Sequence, residues 1–255
     1  MSESDIAACA AIVERADPDR FRAAMASPVA TRKVLFPLYA FNVEVSRAPW
    51  VTAEPLIAEM RLQWWRDALG EIRAGGSVRR HEAVTPLANL LSAEDARLLD
   101  ELVAARSWDI YDDPFPDQVA LDQHLARTSG NLIVTAARLL GAQTLEPIRD
   151  FAWATGLANG FLAVPDWTAR GRHPLPDTSP TALTNLAQQG LDRLKRARRA
   201  RPRGPAAAAI LPGWQTHHIL TRAAKDPARI TLGQLIPSLA RSQIALMWQA
   251  ATGRF

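Results

Sequence analysis

Cysteine is almost absent from this chain of 255 residues, in which Cys9 is the single example. One cysteine excludes a disulfide framework and a metal site built from several thiolates, and it is consistent with a reducing cytoplasm. The first residues contain neither a basic segment nor an apolar core, so we expect neither a signal peptide nor a transit peptide. No stretch approaches the roughly 20 apolar residues that a membrane-spanning helix needs.

Alternating strand patterns are also missing, and β-branched residues are sparse beside alanine, leucine and arginine. This composition predicts an all-α protein. No sequence period indicates a helical repeat array, and no linker is long or polar enough to separate two domains. We therefore expect one domain over residues 1–255. The Walker A, G-x-S-x-G and G-x-G-x-x-G motifs are absent, so three common kinds of catalytic or nucleotide-binding loop are excluded.

Two helices are predicted on either side of a turn in the first third of the chain. The first runs from about Val29 to Ser46 and stops before Pro49. The second opens at Glu54-Pro55 and ends at Gly75-Gly76. Apolar residues spaced four apart predict its buried face, which consists of Leu56, Met60, Trp64, Ala68 and Ile72.

Further along, a helix rich in small residues is predicted from Glu146 to about Val164, followed by a loop from Pro165 to Pro180. Small residues let a helix pack closely or line a cavity without filling it. Two segments resemble capping boxes that open helices, Ser92-x-x-Asp95 and Thr231-x-x-Gln234.

Carboxylates four residues apart on a helix can hold magnesium, which prefers oxygen ligands. The chain offers Asp109 with Asp113, and Asp113 with Asp117. Pro114 and Pro116 prevent helical geometry in the second pair. The first pair stands at a helix end facing a loop, where acids are commonly solvated. We therefore expect solvated acids there rather than a metal site.

The densest positive charge lies between Arg193 and Arg203. Its residues go all round a helix and no aromatic side chains interleave with them, which argues against binding of single-stranded nucleic acid. A solvated helix end and a binding surface are about equally supported, and among partners an anionic membrane or a protein surface leads. The candidate membrane or partner patch consists of Arg196, Arg199 and Arg203.

Three smaller features complete the candidates. Arg170-Gly171-Arg172 can clamp a phosphate, because two guanidiniums flank a glycine that allows close approach of the backbone. His217 and His218 are adjacent, so on a helix they point about 100° apart and make a poor metal pair. The eight tryptophans are expected to anchor the core and interfaces rather than to stack on a ligand.

The order and spacing of these motifs resemble the squalene/phytoene synthase family over nearly the whole chain. The segments that carry the resemblance are Leu38–Phe41, Met60-Arg61-x-x-x-Trp65, His124–Leu132, Gly156-x-Ala158 and Arg170-Gly171-Arg172 with Leu175-Pro176. The resemblance implies an isoprenoid-synthase-type helical bundle around a central, mostly apolar cavity.

The same resemblance implies where catalytic residues would stand. Catalytic members carry an aspartate cluster directly after the Tyr-Ala-Phe segment, which binds magnesium and prenyl diphosphate; here those positions are approximately Ser46, Arg47 and Trp50. In the region of the second cluster Asp166 is the only acid. One carboxylate does not hold a metal cluster and Arg47 repels one, so we expect no catalytic residue, no metal and no cofactor.

The pattern is closer to the subgroup that includes a mitochondrial respiratory complex I assembly factor, which is echoed in Asn42-Val43-Glu44 and Met60–Trp65. This resemblance implies a non-catalytic assembly or binding factor that binds a respiratory-complex subunit or assembly partner, or a lipid or prenyl ligand, at the inner face of a membrane. Together with the single cysteine and the basic segment without aromatic residues, it leads us to expect a cytoplasmic protein in peripheral contact with the inner membrane and no nucleic-acid partner. The candidate contacts for a phosphate or lipid ligand are Arg170, Arg172, Asn159 and Tyr39.

Two alternatives remain open from the sequence. The first is a prenyltransferase that condenses two prenyl diphosphates with magnesium, and that retains Asp166, Arg170 and Arg172 for the phosphates. The second is a basic adaptor that docks through the segment from Arg193 to Arg203.

Overall fold

The computed structural model describes residues 2–111, 113–236 and 239–253. Within these ranges the backbone forms helices and no strand, which confirms the all-α prediction. The helices are α1 (Glu3–Ala16), α2 (Pro18–Ala26), α3 (Val29–Arg47), α4 (Pro55–Ala74), α5 (Val84–Ala88), α6 (Ala93–Ala105), α7 (Gln118–Leu125), α8 (Asn131–Leu139), α9 (Glu146–Ala169), α10 (Pro180–Arg199), α11 (Thr216–Lys225), α12 (Ala228–Thr231) and α13 (Leu239–Thr252). A 3₁₀ turn (Arg106–Ile110) follows α6, and a π-helical turn (Ala126–Gly130) joins α7 to α8.

Side-chain caps and a glycine fix several helix ends. Ser92 makes the predicted capping box: its hydroxyl accepts from the Asp95 backbone N–H at 3.2 Å, and the Asp95 carboxylate accepts from the Ser92 backbone N–H at 3.1 Å. These bonds satisfy N–H groups that have no partner within the first turn of α6. Gly75 ends α4 with a φ of 69°, a left-handed conformation that glycine adopts without strain.

The predicted buried face of α4 is wrong in its first half. Leu56 is 68% exposed and Met60 is 64% exposed. The face that packs into the core alternates steps of four and three residues, through Ala58, Leu62, Trp65, Leu69 and Ile72. A strict step of four advances about 40° beyond one full turn at each step, so the predicted row winds away from the core over four steps.

The helix α9 continues past the predicted boundary near Val164 and through Pro165, so the predicted loop begins five residues later than expected. Proline lacks an N–H and normally disfavours a helix interior. The last turn is held instead by Trp167, whose ring lies 4.8 Å from that of Trp50 and 5.6 Å from that of Trp108. The second capping box is also wrong, because Thr231 is the last residue of α12 and its hydroxyl donates to the Ala228 carbonyl at 2.9 Å.

The helices α3 and α9 lie on two sides of a central cavity. The helix α3 packs against α1, α2, α5 and α8, and α9 packs against α7, α8, α10 and α11. Both helices contribute side chains to the cavity, including Tyr39 and Asn42 from α3 and Asn159 from α9. This arrangement confirms the predicted helical bundle around a central cavity.

Candidate functional site

The central cavity has two lobes. The apolar lobe has a volume of about 180 Å³ and the polar lobe about 280 Å³. The two lobes meet, because five residues line both of them: Arg20, Asn42, Arg106, Leu132 and Asn159. Each lobe alone is smaller than the range of about 300–1,000 Å³ that is common for small-molecule sites, so a ligand of ordinary size would occupy both.

Aromatic and aliphatic side chains form the apolar lobe. The rings of Trp108 and Phe115 stack with their centres 3.9 Å apart and an angle of 9° between their planes. Leu121, Leu125 and Leu157 line the same space. Part of the lobe comes from the segment after α6 and part from α7 and α9, so the apolar surface is assembled from three distant parts of the chain.

A salt bridge with a buried acid lines the apolar lobe, and its Arg106 lines the polar lobe as well. Asp109 is 2% exposed and accepts from Arg106 Nη1 at 2.9 Å, while His124 Nε2 lies 3.9 Å from its other carboxylate oxygen. Burial lowers the pKa of His124 to about 4, against a smaller opposing effect of Asp109, so the imidazole is neutral near pH 7.

The expectation of solvated acids is therefore wrong for Asp109 and holds for Asp113, which is exposed. The 3₁₀ turn that follows α6 directs the Asp109 carboxylate inward, and Arg106, three residues earlier, provides the matching cation. The two acids stand in different environments and do not form a pair of magnesium ligands.

The polar lobe contains charges that are already paired. Arg20 forms a salt bridge with Asp17, and Asp19 accepts from Arg22 at 2.7 Å and from Gln215 Nε2 at 3.0 Å. Paired charges of this kind lower the net field that the lobe presents to a ligand.

Three buried polar atoms of residues that line the polar lobe have no hydrogen-bond partner: the Tyr39 hydroxyl, Arg106 Nε and Gln215 Oε1. Tyr39 is 2% exposed, and burial raises the pKa of its phenol far above the usual value. The phenol is therefore an uncharged hydrogen-bonding group. Buried polar atoms are normally paired, so this concentration of unpaired atoms distinguishes the cavity from a packed core.

The positions expected to carry the first aspartate cluster lie beside the cavity. Ser46 lines the polar lobe, and its hydroxyl donates to the Val43 carbonyl at 3.1 Å. Arg47 is exposed, and Trp50 is half-buried. Asp166, the single acid in the region of the second cluster, belongs to α9 and is exposed to solvent. No group of three or more His, Cys, Asp or Glu side chains within the described ranges is placed to hold a metal ion. These donors do not fit a magnesium cluster.

Instead, an aromatic–arginine cluster occupies this edge of the cavity; it consists of Trp50, Trp167, Arg170 and Arg172. The Trp50 and Trp167 rings meet edge to face at 4.8 Å and 89°. The guanidinium carbons of Arg170 and Arg172 lie 4.8 and 4.9 Å from the centre of the Trp50 ring.

The inner end of the cluster is fixed to the wall of the cavity. Arg172 donates to the carbonyl oxygens of Asp109 at 2.6 Å and Ile110 at 3.2 Å. Trp167 lines the apolar lobe, whereas Trp50 lines an open surface depression of about 480 Å³. The cluster therefore separates the inner cavity from the surface.

The four predicted ligand contacts fall into two places. Tyr39 and Asn159 line the central cavity, and Asn159 reaches both lobes. Arg170 and Arg172 line the outer depression on the other side of Trp50. Tyr39 and Asn159 therefore line one space, and Arg170 and Arg172 line another. The four residues do not line a single binding site.

The predicted basic patch lies on α10 and the segment after it. Arg196 is held by Asp150, at 2.8 Å from Nε and 3.0 Å from Nη2, so its charge is paired. Arg199 and Arg203 are exposed. In the part of the chain that the structure describes, no helix is long and apolar enough to cross a bilayer.

Local sequence patterns do not indicate which residues form the polar lining of the cavity. Arg20 and Gln215 lie at opposite ends of the chain, and both line the polar lobe. His124 and Asp109 belong to separate segments, and only the fold brings His124 Nε2 within 4 Å of an Asp109 carboxylate oxygen. Spacing along the sequence reports pairs on one helix and does not report contacts between distant segments.

Known proteins with similar sequences include two animal relatives. One is the Drosophila melanogaster homolog of NADH dehydrogenase (ubiquinone) complex I, assembly factor 6, which is 26% identical over 196 residues, covering 73% of this chain and 58% of the relative. The Bos taurus protein of the same name is 23% identical over 183 residues, covering 66% of this chain and 52% of the relative. The chain thus spans little more than half the length of these relatives.

A similar fold occurs in a crystal structure of a dehydrosqualene synthase in complex with a ligand. The two structures align with a TM-score of 0.80 over 98% of this chain and 96% of that chain, at 14% sequence identity. At this identity the likeness shows the fold, which is the helical isoprenoid synthase fold. The family model for squalene/phytoene synthase matches residues 13–251. By this match over most of its length, the chain belongs to the squalene/phytoene synthase family.

Proposed function

We propose that this chain is a non-catalytic member of its family that assists the assembly of respiratory complex I. The observation that carries the proposal is the edge-to-face contact of Trp50 with Trp167, at the place where catalytic members carry metal-binding aspartates. The names of the two animal relatives, both of which are complex I assembly factor 6, support the same role.

The chemistry of the site supports a protein without prenyltransferase activity. Ionisation of a prenyl diphosphate develops negative charge that metal ions normally neutralise. Ser46 and Trp50 provide no carboxylate, and Arg47 and Asp166 are exposed on separate helices. Arg170 and Arg172 are positively charged, but they stand against the Trp50 ring, outside the cavity that would hold the prenyl chain.

Assembly requires a surface that a partner can bind, and the outer depression supplies one. It is lined by Trp50, Val51 and Ile110 together with Arg170 and Arg172. Pro55 and Ala58 of α4 line the same depression, and Leu56 and Ile57 between them in the sequence are exposed. Trp, Tyr and Arg are the residues that most often dominate the energy of protein interfaces. The proposal places the contact with a respiratory-complex subunit or assembly partner at this depression.

The proposed location is the cytoplasmic face of the inner membrane, in peripheral contact. Arg199 and Arg203 are exposed and can approach anionic head groups, whereas Arg196 is paired with Asp150. Each basic side chain near an anionic surface contributes about 1 kcal/mol, so two arginines provide weak, salt-sensitive binding.

Deletion of the gene followed by assay of NADH:quinone oxidoreductase activity tests the proposal. We expect a loss of assembled complex I, restored by the wild-type chain and equally by Asp166→Asn. The Asp166 variant tests whether the role is non-catalytic, because a prenyltransferase would use this carboxylate. Normal complex I in the deletion strain would refute the assembly role, and failure of Asp166→Asn to restore complex I would refute the claim that the role needs no carboxylate at this site.

A further inference from the structure

Two asparagines line the junction of the two lobes from different helices. Asn42 belongs to α3 and Asn159 to α9, and each lines both lobes. Asn42 is 5% exposed, whereas Asn159 is exposed to solvent, so the junction is open on the α9 side. No hydrogen bond joins either amide to another residue that the structure describes. An amide donates and accepts hydrogen bonds and carries no charge, so the junction offers uncharged groups to a ligand.

The two cations at the junction are not available to a charged ligand. Arg20 is paired with Asp17, and Arg106 with Asp109 at 2.9 Å. The remaining acid of the polar lobe, Asp19, has its own partner in Arg22. A phosphate or carboxylate that entered would compete with Asp17 and Asp109 for the two guanidiniums and would meet no cation that lacks an acidic partner.

The unpaired atoms around the polar lobe belong to two uncharged groups and to one guanidinium whose charge is paired with Asp109. The Tyr39 hydroxyl can donate or accept, Arg106 Nε donates, and Gln215 Oε1 accepts. An alcohol hydroxyl has one donor and two acceptor positions, so it complements a lining that contains both kinds of atom. Next to the junction, the apolar lobe provides a path for an aliphatic chain beside Trp108 and Leu157.

We propose that the junction binds the hydroxyl head group of an uncharged aliphatic alcohol, whose chain lies in the apolar lobe. The proposal concerns the cavity and not the partner surface, so it goes beyond the assembly role. An alcohol carries no charge, whereas a diphosphate is an anion, and the lining of the junction should distinguish the two by charge.

A matched pair of probes tests this assignment. The purified chain is titrated with 1-decanol and with decyl phosphate, which share one alkyl chain and differ in the head group, and binding is followed by calorimetry and native mass spectrometry. We expect one molecule of 1-decanol per chain and binding of decyl phosphate that is about tenfold or more weaker, because the dianion is desolvated without a free cation. Tighter binding of decyl phosphate would overturn the proposal, as would binding of neither probe, which would mean that the lobes hold only water.

Three variants test the position of the head group. Asn42→Ala and Asn159→Ala should each weaken binding of 1-decanol by about two- to tenfold, the effect of losing one uncharged hydrogen bond. Asn185→Ala, at an exposed position on α10, is the matched control and should leave binding unchanged. Thermal unfolding of each variant confirms that it is folded. If both cavity variants bind 1-decanol as the control does, the junction is not the head-group site. Complex I assembly is measured separately, so a negative result here leaves the proposed function to its own test.

Discussion

Replacing Trp50 with alanine tests whether the aromatic–arginine cluster is a stable part of the fold. The substitution removes the edge-to-face contact with Trp167 at 4.8 Å and the positions of Arg170 and Arg172 over the ring, at 4.8 and 4.9 Å. An aromatic pair contributes about 0.5–1.5 kcal/mol, and each cation over a ring at an exposed site adds about 0.5–1 kcal/mol. We therefore expect the free energy of unfolding to fall by about 1.5–3.5 kcal/mol.

Urea denaturation followed by far-ultraviolet circular dichroism measures this change. Trp248→Ala is the matched control, because that ring is 60% exposed and should contribute less than about 0.5 kcal/mol. Trp50→Phe keeps an aromatic ring and should recover part of the loss. Equal stability of Trp50→Ala and the wild-type chain would refute the reasoning, since it would mean that the ring contacts do not hold this edge of the cavity.

Three further predictions follow from single features. The pKa of His124 is about 4 in the folded chain and about 6.5 in the unfolded chain. This group should therefore not affect the free energy of unfolding above pH 6.5, and it should lower that free energy by about 3 kcal/mol as the pH drops to 4. Denaturation at a series of pH values should show a flatter dependence for His124→Asn than for the wild-type chain. Gly213→Ala should destabilise the chain by about 1–3 kcal/mol in the same denaturation assay, because the new Cβ would overlap the Phe151 ring and the Thr155 hydroxyl. Replacing the exposed residues Arg199 and Arg203 with alanine should leave the melting temperature unchanged and weaken co-sedimentation with anionic vesicles. Unchanged vesicle binding would mean that neither arginine contacts the membrane.

The sequence predicts helices well where a local chemical signal marks their ends. Ser92 and Asp95 form the capping box that their spacing indicates, and the glycine at position 75 stops α4. The prediction fails where tertiary contacts outweigh local preference. Pro165 indicates the end of a helix, but the packing of Trp167 continues α9 to Ala169.

For the candidate site, too, the sequence predicts the positions of residues along the chain but not their contacts in the fold. The residues Ser46, Arg47 and Trp50 mark the position of the altered motif from sequence alone, because a family resemblance locates positions along the chain. The contact of Trp50 with Trp167 cannot be predicted from local patterns, because the two residues are more than a hundred positions apart in the sequence and meet only in the fold. The sequence does not indicate the buried pair of Asp109 and Arg106, because acids at a helix end facing a loop are usually solvated, whereas the 3₁₀ turn that contains Asp109 faces inward.

The most direct test of the central claim is a turnover assay of the purified chain with magnesium and farnesyl or geranylgeranyl diphosphate. The account predicts no condensed prenyl product and no release of diphosphate above the rate without protein, because the altered motif positions provide no metal cluster. Formation of a condensed product that requires magnesium and is abolished by Asp166→Asn would contradict it and establish a prenyltransferase.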